Sequence, residues 1–98
     1  MYIVRDIFQL KFGHFKDAKQ LFDNMPSEKM MPEAANMRML SDFTGDSYRL
    51  ILEAGFNTLS DYEKSLNGAM GQGDWQKWYT DFKQHVESSH REILKQIK

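Results

Sequence analysis

The sequence predicts an α+β fold in which two helices cover one face of a four-stranded antiparallel sheet. Three observations carry this reading. The apolar pulses follow the order β-α-β-β-α-β, which is that of a split βαβ sheet. The first pulse, residues 2–12, has period 2 and closes at Gly13, after which the spacing turns helical. Two further extended runs, 36–44 and 48–56, lie back to back around Gly45-Asp46, as a hairpin requires.

In the first strand Tyr2, Val4, Phe8, Leu10 and Phe12 share a face on which Asp6 is the exception. Ile3, Arg5, Ile7, Gln9 and Lys11 share the other. The nearly apolar even face should meet the helices. In the first helix Phe15, Ala18, Leu21, Phe22 and Met25 form one stripe. Pro26 stops or bends this helix, and Pro32 excludes a long continuation, so residues 25–35 read as a connection with room for one helical turn at Ser27-Glu28-Lys29.

On the hairpin, Met37, Met39 and Phe43 share a face, as do Tyr48, Leu50, Leu52, Ala54 and Phe56. The opposite face takes Arg38, Leu40, Asp42, Arg49, Ile51 and Glu53. Helix two opens at Thr58 or Ser60 as cap, with Asp61 and Glu63 in its first turn. Leu59, Tyr62, Leu66 and Met70 follow helical spacing, Gly68, Gly71 and Gly73 interrupt it, and Trp75, Trp78, Tyr79, Phe82 and Val86 resume it. The final strand is expected at 92–97, with the helix ending somewhere between Lys83 and Arg91.

Ninety-eight residues allow a single domain spanning 1–98. A formal net charge of -1 argues against a nucleic-acid partner, because neutralising several phosphates needs a basic surplus. The absence of cysteine removes disulfides and thiolate chemistry. The N-terminal apolar run carries Arg5 and Asp6, which suits neither a signal peptide nor a membrane span. The expectation is a soluble cytoplasmic protein with no membrane partner.

The face away from the helices is neither polar nor apolar. Ile3, Ile7, Leu40 and Ile51 alternate there with Arg5, Arg38, Arg49, Asp42 and Glu53, joined by Ile93 and Ile97 or by Leu94 according to the last strand's register. Such a surface fits burial against a second copy, with the charges satisfied by pairing. The plainer alternative is a solvated amphipathic sheet with cross-strand Arg–Glu pairs.

The segment Val4-Arg5-Asp6-Ile7-Phe8-Gln9-Leu10-Lys11-Phe12-Gly13-His14-Phe15 resembles the opening strand and helix entry of the dimeric α/β-barrel superfamily, closest to its NIPSNAP-like branch. In that branch a strand bearing an Arg runs into a Lys-Pro-Gly turn; here Phe12 stands in place of the Pro. His90-Arg91-Glu92-Ile93-Leu94 resembles the group's closing strand. The resemblance implies a ferredoxin-like fold and a homodimer whose two sheets enclose a barrel. The superfamily holds cofactor-independent monooxygenases, haem-degrading enzymes, small isomerases and proteins without assigned activity, so membership leaves function open.

Candidate chemistry is sparse. His14 lies beside the Gly13 turn and reads as exposed. His85 and His90 are five apart, a spacing that suits one face of neither a helix nor a strand, so no metal site is expected. His90 and Tyr48 are the catalytic candidates, and Arg5, Arg38, Asp42 and Arg49 the ligand-binding ones, since an arginine cluster can take a carboxylate or phenolate. Each of these has a structural alternative, an ion pair or a surface position. Trp75, Trp78 and His85 superficially match the residue types of haem-degrading relatives, but aromatic residues at this spacing more often pack a helix. The glycines at 68, 71 and 73 lack the Lys-Ser or Lys-Thr of a phosphate loop. No cofactor is expected. The favoured function is a small homodimeric barrel protein binding an apolar or aromatic anion, between sheet and helices or within the barrel. The alternative is a cofactor-independent, antibiotic-biosynthesis-type monooxygenase, with haem degradation a weaker variant.

Overall fold

Alternation in the first run becomes β1 (Tyr2–Leu10), and Gly13 at φ +81° makes the left-handed turn that delivers the chain into α1 (Phe15–Asp23). These elements come from a computed structural model that describes residues 1–25, 27–70 and 73–98. The connection holds a four-residue helix, α2 (Ser27–Met30), at the expected helical turn; Pro26 lies outside the described residues. The hairpin follows as β2 (Asn36–Ser41) and β3 (Arg49–Phe56), then α3 (Leu59–Met70), α4 (Gly73–Lys83) and β4 (Val86–Lys95). Thr58 is the cap of α3, its Oγ1 accepting from the Asp61 N–H at 3.0 Å.

The four strands form an antiparallel sheet in the order β2-β3-β1-β4. In the central pair Arg5 is opposite Glu53 and Ile7 opposite Ile51. Helices cover one face, and the smallest Cα extent of 19 Å is that of one sheet and one helical layer. This is the expected ferredoxin-like α+β fold, with two adjustments. The long second helical stretch is two helices, and Gly71, one of the interrupting glycines, lies outside the described residues. The last strand begins at Val86 rather than near Glu92 and runs antiparallel along the whole of β1. Residues 86–91 lack apolar alternation because β4 is an exposed edge strand, held by backbone pairing rather than burial.

The helix side of the sheet is the core. Leu10, Leu50, Leu52, Ala18, Phe22 and Phe82 form one buried cluster, and Val4, Ala54, Phe56 and Tyr62 a second. Phe82 is the hub of an aromatic group: Phe8 and Phe22 meet it edge-on, each at 4.9 Å, and Trp78 stacks on it at 5.0 Å. The Trp78 indole N–H donates to the Leu21 carbonyl at 2.7 Å, tying α4 to α1.

Candidate functional site

The candidate residues fall in separate places. Arg5 and Arg38 converge on Glu53 on the helix-free face, the Arg5 Nε donating to Oε2 at 2.7 Å and the Arg38 Nε to Oε1 at 2.9 Å. Glu92 lies 3.7 Å from the far side of Arg5, and the His90 Nε2 lies 3.8 Å from Glu92. Burial pushes the Glu53 carboxyl up, but the hydrogen bonds from Arg38 and Arg5 outweigh it, so its pKa lies below the ordinary 4.5. A depressed carboxylate stabilises the fold fully above its unfolded pKa and loses that contribution as pH falls through the folded value. The melting temperature should therefore fall below pH of about 4.5, and calorimetry of Glu53→Gln should show a shallower acid decline than the parent. Parallel declines would contradict this role for Glu53.

Asp42 and Arg49 pair with each other beside the β2–β3 loop at 2.8 Å, and the Arg49 hydrogen bond holds the Asp42 carboxyl below its ordinary value. Tyr48 and its neighbour Ser47 both have left-handed backbones, at φ 57° and 69°. Their carbonyls accept from the Leu10 N–H at 2.8 Å and the Gln9 side chain at 2.9 Å, and the Tyr48 ring sits 5.0 Å from Phe12. This arrangement fixes the loop against the end of β1.

A different place has the geometry of a binding site. Between the sheet and the helices opens a cleft of about 570 Å³. Its walls are Phe8 and Leu52 from the sheet, Leu66 and Ala69 from α3, and Trp75, Trp78, Tyr79 and Phe82 from α4. The α4 rings form two parallel i, i+4 stacks, Trp75 on Tyr79 and Trp78 on Phe82, each at 5.0 Å. Of the six candidate residues only His90 is among the lining residues, while its ring reaches Glu92 on the other side of the sheet.

The polar end of the cleft is built by Asp6 and Arg91, which face each other across β1 and β4. The Arg91 Nε donates to Asp6 Oδ1 at 2.5 Å, and its Nη1 donates to the Tyr62 hydroxyl at 2.6 Å. Burial pulls the guanidinium down, but the bond to Asp6 leads the opposing effects and raises it above its ordinary value, so Arg91 stays charged. Burial raises the Tyr62 phenol, which stays protonated at neutral pH. A guanidinium has five N–H donors, and only two of Arg91's are engaged by other side chains among the described residues. Its side chain is 46 % exposed, so the remaining donors are available to a ligand oxygen.

His14, expected on the surface, is half-buried, and its Nδ1 lies 2.9 Å from the Nδ1 of His85. His85 therefore closes two turns together, while Trp75 and Trp78 line the cleft; the three do not share one site. Arg91 and Tyr62 are not among the candidates that the sequence offers. The available signal is Asp6 itself, an acid on an otherwise apolar strand face, which needs a cationic partner. No helix among the described residues is long and apolar enough to cross a membrane.

No protein-family model and no curated protein sequence matches the chain. Solved structures do. A NIPSNAP family protein from Agrobacterium tumefaciens superposes with a TM-score of 0.86 at 18 % identity, over 95 % of this chain and 82 % of that one. An uncharacterised NIPSNAP domain protein from Burkholderia xenovorans gives 0.88 at 10 % identity, over 98 % and 94 %. A cofactor-independent oxygenase from Streptomyces nogalater gives 0.74 at 11 % identity, over 99 % and 93 %. At these identities the likeness is one of fold, and it matches the NIPSNAP-like form of the ferredoxin-like architecture inferred from the opening and closing strands.

Proposed function

We propose that the protein is a homodimer that binds an aromatic small molecule, anionic when bound, in the cleft between sheet and helices. The observation that carries this reading is a charged arginine with uncommitted donors at one end of a cavity walled by aromatic rings. The rings supply stacking surface, and a ligand ring laid against them displaces water there, which strengthens the contact between Arg91 and a ligand oxygen. A cavity of about 570 Å³ lies within the range of small-molecule sites. Dimerisation through the helix-free face would cover Ile7, Leu40, Ile51 and Leu94 and leave this cleft open on the other side of each sheet.

The test is a titration with 2-naphthol followed by its fluorescence. One molecule per chain should bind, and Leu66→Trp, which fills the cleft from α3, should weaken binding at least about tenfold, or 1.4 kcal/mol. Equal affinity in the variant would place the ligand elsewhere. A second reading, cofactor-independent monooxygenation, draws support from the oxygenase neighbour and from the aromatic-walled cleft. Oxygen uptake above the buffer rate when an electron-rich naphthol is added would favour it; no uptake would leave binding alone.

A further inference from the structure

We propose that Asp6 is a general base in this cleft, and that the ligand enters as a neutral weak acid rather than as a preformed anion. The ligand class is a phenol, an enol or an enolisable aromatic ketone. The inference rests on the reading that the cleft is the ligand site.

Asp6 is the one buried acid among the described residues on the helix side of the sheet; Glu53, the other buried acid, lies on the opposite face. Its Oδ1 is committed to Arg91. Its Oδ2 makes no hydrogen bond to the described residues, and no fully buried side-chain oxygen among them is left unpartnered, so Oδ2 has access to the cleft that Asp6 lines. A carboxylate oxygen thus adjoins the same cavity as Arg91's uncommitted N–H groups. One group can accept a proton while the other receives the charge that this leaves behind.

Charge balance selects the form of the ligand. Asp6 and Arg91 together are neutral. A preformed anion would add an unbalanced negative charge beside the Asp6 carboxylate, within apolar walls. A neutral acid that transfers its proton leaves a protonated Asp6, a cationic Arg91 and an anionic ligand, with the total unchanged. In that step the ligand's O–H or C–H bond breaks and its electron pair stays on the ligand as phenolate or enolate. The proton forms a new bond to Asp6 Oδ2. When the proton on Asp6 is replaced by a solvent deuteron before return to the same atom, the result is exchange, and return to another atom gives keto–enol isomerisation. Neither needs an oxidant or a cofactor. Tyr62 is a positioning residue, its hydroxyl accepting from Nη1 to hold the guanidinium in place.

The experiment follows hydrogen–deuterium exchange at C1 of 2-tetralone in D2O by proton NMR. The parent protein should accelerate exchange over buffer, and saturating 2-naphthol should suppress the acceleration. Asp6→Asn keeps an oxygen for Arg91 but cannot take the proton, and should lower the enzymatic rate at saturating 2-tetralone by about 10²-fold or more. If 2-naphthol binds but the parent gives no acceleration, or if Asp6→Asn exchanges at the parental rate, the base assignment is overturned and the binding reading stands. If 2-naphthol does not bind, both fall. Should Asp6→Asn fail to fold, suppression by 2-naphthol and loss of exchange in Leu66→Trp decide the matter: exchange that survives both overturns the proposal.

Discussion

Truncating Phe82 to alanine is expected to lower the unfolding free energy by about 3–5 kcal/mol, the range for removing a fully buried aromatic ring. Phe82 is 1 % exposed and touches partners from three other directions: Phe8 on the sheet, Phe22 on α1 and Trp78 one turn earlier on α4. No single neighbour can move to refill the space without leaving its own contacts, so the cavity should persist. A chain of this size has a total stability of about 5–15 kcal/mol, so the loss is a large share of the whole. The same ring walls the cleft, so ligand affinity should fall with it. Urea denaturation measures the first effect and the naphthol titration the second. A loss below about 1.5 kcal/mol would mean that the aromatic group is not the mechanical centre of the helix layer.

The second large effect is expected at Ile51. Register sets it opposite Leu40 on one side and Ile7 on the other, so it sits mid-row on the helix-free face. In the proposed dimer this row is the dry centre, flanked by Arg5, Arg38 and Glu53, which already satisfy one another. Ile51→Lys places an ammonium in that dry centre, where Arg5 and Arg38 already occupy the Glu53 carboxylate. Dimer dissociation should rise by about 10²-fold or more. Sedimentation equilibrium at micromolar concentration should give twice the chain mass of 11.6 kDa for the parent and the single-chain mass for the variant. A parent that sediments as a single chain would remove the dimer, and the helix-free face would then be a solvated sheet.

How far the sequence was legible follows from what holds each element. β1, β3 and α1 carry strong periodicities because each buries one face, and their positions follow directly from the alternation of Val4, Phe8 and Leu10 or of Leu50, Leu52 and Ala54. β4 buries almost nothing and is specified by its hydrogen bonds to β1, which leave no mark on residue type, so residue pattern alone marks only its end and misses the six residues from Val86 to Arg91. That gap hides the site. Sequence leaves the register open, and with it whether His90 or Arg91 faces inward; once pairing opposes Asp6 to Arg91, the one polar residue on the inner face of β1 gains its partner. The ligand candidates Arg5, Arg38, Asp42 and Arg49 stand out in the sequence by charge alone, and each forms an ion pair with a neighbouring strand or loop. The His14–His85 contact spans 71 positions and is a product of closing the sheet, which no local pattern encodes.

The claim that the cleft behind the sheet is the binding site is tested most directly by NMR of 15N-labelled protein titrated with 2-naphthol. Saturable shifts of the Arg91 Nε–H and of the indole N–H groups of Trp75 and Trp78 are expected, with the helix-free face unmoved. Shifts confined to Arg5, Arg38 and Ile51, with Arg91 and both indoles still, would contradict it.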